Sequence, residues 1–328
     1  MSTDTGFHGT FGWLGRASTV LAVIVVQAIA FWVAYTVGKP TWYVPFMLGS
    51  AALLAYASGE GWFGMAAATL GSILLIAVGL PLALFVARQD LDVIAEMAGR
   101  QAVHRMLYLS VYGPLLAALV SVVFGVPLAY LLARGFRGQA LIETLVDLPL
   151  VVPHSVAGII ILFSFGQGGL FPWVGILGQM TGMVIAMTFV SAPFAVNTAR
   201  EAFETIDPRL GYAARSQGAT HFETFRRVTA PLATRGILTG GVLAWARSVS
   251  EFGAVAIVAY NVEFSYPLPL FGETIFSNHA PVFIFKTYNA GSIEQSGAVS
   301  VILLALSAAI FVLVRWFAYD DESTGGVL

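Results

Sequence analysis

Asp207-Pro-Arg-Leu-Gly-Tyr-Ala-Ala-Arg-Ser-Gln-Gly-Ala-Thr-His-Phe-Glu-Thr-Phe-Arg-Arg-Val-Thr-Ala-Pro231 decides how this chain is read, because it is a polar, arginine-rich island between two long apolar stretches. Its pattern predicts a short amphipathic helix from about Pro208 to Phe225, with Ala213, Ala214 and Gly218 on neighbouring turns. Small residues there let the surface of another protein approach the backbone closely, as a ball-and-socket contact requires, and Arg215, Ser216, Gln217, Ala219 and Thr220 complete the contact candidate. Pro231 lacks an amide proton and is expected to break the chain before the next apolar helix. The plain alternative is a solvated connecting loop.

Working outward, hydrophobic residues make up 58% of the 328 and charged residues 10%, with a mean hydropathy of +0.82. Soluble domains carry roughly 25% charged residues, so the composition is that of an integral membrane protein. A spanning helix needs about 20 mostly apolar residues, since backbone amides find no water inside hydrocarbon. Eight spans are expected, at 18–37, 42–57, 63–87, 107–133, 144–165, 174–197, 234–258 and 295–317. The second is short and is open to a re-entrant reading. The first is too long for the apolar core of a cleavable signal and is expected to be retained. A net charge of −2 leaves no basic footprint for nucleic acid. There are no cysteines, hence no disulfide or thiolate metal site.

Arginines near span ends set orientation. Arg200, Arg209, Arg215, Arg226, Arg227 and Arg235 cluster between the sixth and seventh spans, and Arg134 and Arg137 follow the fourth. Both loops are therefore expected in the cytoplasm together with both termini, and residues 88–106 and 259–294 outside. Arg88, Arg100 and Arg105 run against this rule, offset by Asp90, Asp92 and Glu96.

Two further stretches place polar groups at membrane depth. In Ala-Trp-Ala-Arg-Ser-Val-Ser-Glu-Phe-Gly-Ala, residues 244–254, Arg247 and Glu251 stand four apart and project from one helix face, with Ser250 beside them. Ionisable groups at this depth cost at least a few kcal/mol and face a bundle interior or an aqueous path. They are read either as a packing ion pair or as part of the pathway. In Val-Asp-Leu-Pro-Leu-Val-Val-Pro-His-Ser-Val-Ala-Gly, residues 146–158, Pro149 and Pro153 interrupt the helical ladder, which is tolerated only where protein or water satisfies the freed carbonyls. Broken helices often border substrate paths, which makes Asp147, Pro149, Pro153, His154 and Ser155 gate or pathway candidates. The alternatives are an interfacial helix start for Glu143 and Asp147 and a packing role for His154. No cluster of ligand-type side chains at metal spacing occurs.

Ala213, Ala214, Gly218, Val228 and Pro231 fall at the spacings of the coupling loop of ABC importer permeases, Glu-Ala-Ala, three residues, Gly, nine residues, Ile-x-Leu-Pro, with Tyr212 in place of the glutamate and Ala230 in place of the leucine. With residues 146–158, 186–193 and 245–255, the chain resembles the membrane subunit of molybdate/tungstate ABC importers from about Phe63 to Phe317. The resemblance implies an all-α membrane protein with the type I importer fold. It divides the chain into an extension of two added transmembrane helices (1–60), a permease domain (61–320) whose coupling loop covers about 198–233, and a short cytoplasmic tail (321–328). It implies partners as well: a second copy of the chain, two ATP-binding cassette subunits, an extracytoplasmic oxyanion-binding protein and membrane lipid. ATP and Mg would be held by the ATPase subunits. The chain itself has no Gly-x-x-x-x-Gly-Lys-Ser/Thr loop for nucleotide phosphates and is expected to catalyse nothing. Sulfate or thiosulfate permeases are the nearest alternative. A secondary transporter is expected to carry coupling carboxylates in pseudo-symmetric halves, and an intramembrane enzyme an oriented nucleophile; neither pattern is visible.

Overall fold

The structure, a computed structural model, describes residues 23, 25–57, 61–267 and 271–319, with side chains as far as Val312. Residues 18–22 of the expected first span, the boundary at residue 60 and the 321–328 tail lie outside the described residues. The chain separates into two compact units, Met1–Arg88 and Gln89–Leu328.

The first unit contains α1 (Val25–Thr36), α2 (Tyr43–Ala57) and α3 (Gly61–Ala87). Pro40 opens a single 3-10 turn ahead of α2. α2 has 15 residues, a rise of roughly 22 Å at 1.5 Å per residue, which is less than the ~30 Å hydrocarbon thickness. Gln27 Nε2 donates to Ser50 Oγ (2.8 Å) and Tyr35 Oη to the Ala87 carbonyl (3.1 Å), polar ties that fix the three helices.

The second unit begins with α4 (Leu91–Gly99), whose first turn is capped by the Asp90 carboxylate accepting from Asp92 N. α5 (Gln101–Leu132), α8 (Met180–Glu204) and α11 (Ala230–Val249) form its centre, joined by α14 (Ile293–Tyr319). Small residues allow these helices to meet: Ala117, Ala186, Ala195, Ala199 and Ala244 are all buried, and Ser121 and Ser191 face each other at 3.3 Å between α5 and α8. Met183, Met187, Val190, Leu109 and Val255 fill the layer above them. Residues 259–294 are more than a loop. They contain an antiparallel hairpin, β1 (Val262–Tyr266) and β2 (Glu273–Ser277), paired with Phe264 opposite Ile275, and a short helix, α13 (Ala280–Asn289). Gln179 Nε2 holds the hairpin to the start of α8 through Glu263 Oε2 (2.8 Å).

Several expected spans are corrected. Among the described residues, α3, α5, α8 and α14 are long and apolar enough to cross a bilayer, with a fifth span if one bent pair is counted as a unit. That pair replaces the expected helix 144–165: α6 (Gln139–Val151) and α7 (His154–Phe165) meet at 116°. The cause is Pro153, which cannot donate to the ladder and holds Val152 extended at ψ 128°. The expected 174–197 helix starts later, at Met180, because Gly175 and Gly178 turn the chain with φ of 64° and 66°. It also runs on to Glu204. The expected 234–258 helix is likewise two pieces, α11 and α12 (Gly253–Val258), parted at Ser250–Phe252.

The polar island is also reshaped. Its helix, α9, stops at Ser216 and not near Phe225. A one-turn helix, α10 (His221–Thr224), follows and passes through a five-residue π turn, Phe225–Thr229, directly into α11. Pro231 therefore does not break the chain. It occupies the first turn of α11, where its missing amide proton is tolerated, and the wider π turn before it takes up the mismatch in hydrogen bonding.

Candidate functional site

Two constellations carry the chemistry, one at α9 and one at the paired helix breaks. α9 (Pro208–Ser216) is punctuated at both ends. The Asp207 carboxylate accepts from Arg209 N at 2.9 Å, with Pro208 at the first position. At the other end Ala219 N donates to the Ala214 carbonyl (3.2 Å) and Gly218 N to the Arg215 carbonyl (3.0 Å). This is the Schellman pattern, and Gly218, at φ 94°, is its left-handed residue. Thr220 then caps α10: its hydroxyl accepts from Glu223 N (3.2 Å) while Glu223 Oε2 accepts from Thr220 N (2.9 Å). These bonds from the Thr220 backbone and hydroxyl hold the Glu223 carboxyl below the usual carboxylate range.

Beside α9 the helix ends are joined by an aromatic seat. Tyr130 at the end of α5 meets Phe203 of α8 edge-on at 5.6 Å and Phe225 of the π turn at 4.8 Å. The π turn that follows the polar island is thereby packed on α5 and α8, and it runs directly into α11. Leu210 (46%) and Phe222 (67%) are exposed, and Ala213 between them is open as well. A short capped helix thus shows small and apolar side chains on an otherwise polar segment.

At the second constellation the break after α6 meets the break after α11. Arg247 Nη2 donates to Glu251 Oε2 at 2.8 Å and to His154 Nε2 at 2.7 Å. Glu251 Oε1 accepts from Ala254 N (2.9 Å), which caps α12. The Glu251 side chain is fully buried, and that of Arg247 is 18% exposed. A buried carboxylate thus has its charge balanced and both oxygens bonded, as low-dielectric burial demands. α7 and α12 can approach this closely only through glycine: a Cβ on Gly253 would lie 2.8 Å from His154 Cβ, and one on Gly158 3.0 Å from Ala254 Cα.

The structure therefore brings together His154, Arg247, Ser250 and Glu251, with Pro153 and Ser155 flanking His154; Ser250 Oγ lies 3.4 Å from Arg247 Nη1. Arg247 and Glu251 pair as the four-residue spacing predicts, although Glu251 lies past the helix end. Asp147 and Pro149 stand elsewhere. Asp147 Oδ1 accepts from Asn197 Nδ2 (2.7 Å), and one turn earlier Glu143 Oε1 accepts from Arg200 Nη1 (2.6 Å), so this face of α6 is clamped to α8. Ala213, Ala214, Arg215 and Ser216 lie on α9, Gln217 to Ala219 in its closing turn, Thr220 at the α10 cap, and Pro231 in α11. Sequence reasoning missed the His154–Arg247 link, whose partners are 93 residues apart, and the aromatic seat; neither leaves a local signal. It also missed His279, which is fully buried just ahead of α13 with neither ring nitrogen hydrogen-bonded. Burial pushes its pKa down to about 3, opposed weakly by the nearby Glu251 backbone.

Known proteins with this organisation are membrane components of importers. The molybdate/tungstate transport system permease protein of Pyrococcus abyssi is 37% identical over 270 residues, covering 78% of this chain and 96% of that protein. Its counterpart from Pyrococcus furiosus is 38% identical over 260 residues, covering 78% and 95%. Among solved structures, a bacterial ABC transporter involved in the import of the acidic polysaccharide alginate shares the fold, with a TM-score of 0.59 over 81% of this chain and 98% of that chain at 16% identity. Residues 121–321 match the family described as binding-protein-dependent transport system inner membrane component. With α5 to α14 arranged as in an ABC importer permease and the match covering more than half of its length, the chain belongs to that family, as the multi-pass membrane subunit of an importer.

Proposed function

We propose that this chain, as a pair of copies, forms the translocation pathway of an ATP-driven importer for a tetrahedral oxyanion, molybdate or tungstate. The observation that carries the reading is the 37% identity to a molybdate/tungstate permease along 96% of that protein's length. An extracytoplasmic binding protein captures the anion and two cytoplasmic ATPase subunits, holding ATP and Mg, supply the work. α9 and its closing turn, Ala213 to Thr220, dock on the ATPase, and both termini lie on that same cytoplasmic side. Closure of the ATPases moves α9, and the Tyr130–Phe203–Phe225 seat passes the displacement to α5, α8 and α11. Arg247, held between Glu251 and His154, is the cation that an oxyanion meets at the level of the helix breaks. Its charge is already largely balanced by Glu251, so the anion is held weakly and released readily.

Reconstitution of the permease with its ATPase and cognate binding protein in proteoliposomes tests this. The expected outcome is ATP-dependent uptake of molybdate or tungstate that excess sulfate does not suppress, and no ATP turnover by the purified permease alone. Equal suppression by sulfate would remove the molybdate/tungstate assignment and leave an oxyanion importer. Uptake driven by an ion gradient without ATP would remove the importer itself.

A further inference from the structure

Beside α9, on the face turned toward the helix ends, lies a cleft of about 400 Å³. Its walls are the last turn of α5 with Tyr130 and Arg134, the end of α8 with Glu204, and the α9 side chains Tyr212 and Arg215 following Asp207. Both guanidinium groups lie over tyrosine rings, Arg134 at 4.2 Å from the Tyr130 centroid and Arg215 at 4.9 Å from that of Tyr212. Neither has a carboxylate partner among the described residues. The two acids of the cleft are otherwise engaged: Glu204 Oε1 is 3.0 Å from Arg200 Nε and Asp207 caps α9. Arg215 Nε donates to the Gly211 carbonyl (3.2 Å), and two cations thus face a polar hollow without a carboxylate to balance them.

Position says which anion fits. Arg134 lies just past Leu132, where the 32-residue apolar helix α5 ends; at about 1.5 Å per residue α5 outreaches the ~30 Å hydrocarbon core, so its end extends to the headgroup level. One turn before Arg134 on the same helix face is Leu131, 55% exposed, and two turns further back Phe124, 74% exposed. An exposed apolar track leading to arginines backed by tyrosines at the interface is a seat for an acyl chain under a charged headgroup. We propose that the cleft binds the headgroup phosphate of an anionic phospholipid, with Arg134 and Arg215 on the phosphate and the acyl chain along Leu131 and Phe124. A lipid bound there props α9 against the helix ends and makes the set of the coupling segment depend on membrane composition. The inference is independent of which anion is transported.

Native mass spectrometry of the full-length protein in a mild detergent tests it by titration with phosphatidylglycerol, phosphatidylcholine and water-soluble glycerol phosphate. Wild type is expected to retain phosphatidylglycerol selectively. The Arg134→Gln/Arg215→Gln pair should lower that retention by roughly 25-fold, each cation being worth a factor of about five near an anionic lipid. Arg134→Lys/Arg215→Lys should keep most of it, as should Arg226→Gln/Arg227→Gln, which removes equal charge from outside the cleft. Equal loss in the outside pair, no preference for phosphatidylglycerol over phosphatidylcholine, or equally strong binding of glycerol phosphate would each overturn the proposal. A photoactivatable phosphatidylglycerol on unmodified protein provides an arm that needs no variant. Labelling of the α5 end or α9 is expected, and labelling confined to other segments, or displaced by the ATPase subunit, would assign the cleft to something else.

Discussion

At the scale of single residues, the decisive balance is between the burial of Glu251 and its partners. A carboxylate without solvent exposure is stable only while Arg247 stays at 2.8 Å and Ala254 N keeps its second oxygen bonded. Removing Arg247 alone leaves an uncompensated buried charge, at a cost of about 3–5 kcal/mol. Arg247→Met or Glu251→Gln alone should therefore lower the unfolding midpoint in detergent markedly, and the double change by much less than the sum. Simple additivity in a double-mutant cycle would show that the two do not act as a pair. His154→Ala, which removes only the second acceptor of Arg247, should cost less than either. His279 adds a pH dependence of definite sign. Its folded pKa is pushed from 6.5 to about 3, so the unfolded chain binds the extra proton between those values and stability falls as pH drops through that window, by up to about 1.4 kcal/mol per pH unit. Above pH 6.5 the contribution is fully present. Thermal unfolding of His279→Phe should show a flatter acid limb than wild type; an unchanged limb would assign the acid sensitivity to other groups.

At the scale of elements, the same residues explain what the sequence makes visible and what it hides. The long apolar helices α3, α5 and α14 follow from hydropathy within a few residues of their expected limits, apart from six additional residues at the start of α5. Hydropathy cannot see a bend, however, and both helix breaks lie inside stretches apolar enough on average to pass as single spans despite His154, Arg247 and Glu251. Pro153 marked one of them. The other, at Ser250–Phe252, is fixed by the Glu251 carboxylate capping α12 and by the contact of Gly253 with His154, and both depend on a tertiary neighbour. Residues 259–294 are too mixed in pattern for a hairpin to be read from them, and the Gln179–Glu263 contact that steadies it spans 84 residues. In the polar island the small residues and Gly218 were legible by spacing, and within the chain itself the glycine is required by its backbone conformation. A Cβ at Gly218 would meet no atom of its own chain within 4 Å, while φ is 94°. The requirement is conformational, so Gly218→Ala should destabilise the α9–α10 turn by about 1–2 kcal/mol, whereas Gly218→Asn, which tolerates the left-handed region, should cost less. If uptake in an assembled complex followed side-chain size in place of this order, the glycine would be serving partner approach and not the turn.

At the scale of the whole molecule, the open matter is where the transport core begins. By internal contacts the chain divides after Arg88, whereas span counting places the added segment at residues 1–60. The extent of the match to relatives bears on these limits. The 240 residues from Gln89 onward are about 73% of the 328, so a match that covers 78% of the chain must reach into the first unit. The same match accounts for 96% of the Pyrococcus abyssi protein, which leaves that permease almost nothing with which to replace α1 and α2. α3 is also the one helix of the first unit long and apolar enough, among the described residues, to cross a bilayer unaided. On these grounds we propose that α3 belongs to the core and that α1–α2 are an addition. A chain lacking residues 1–60 should insert, assemble with its ATPase and retain uptake within about twofold of the full protein, its missing helices lowering membrane-inserted yield at most modestly. A chain lacking residues 1–88 should lose a spanning helix, reverse the expected sidedness of all that follows by the arginine rule, and fail to assemble. Protease accessibility of a tag at α9, measured with membrane-inserted yield and uptake for both truncations, separates the cases: equal competence of the two shortened chains would place α3 outside the core, and equal failure would make α1 and α2 part of it.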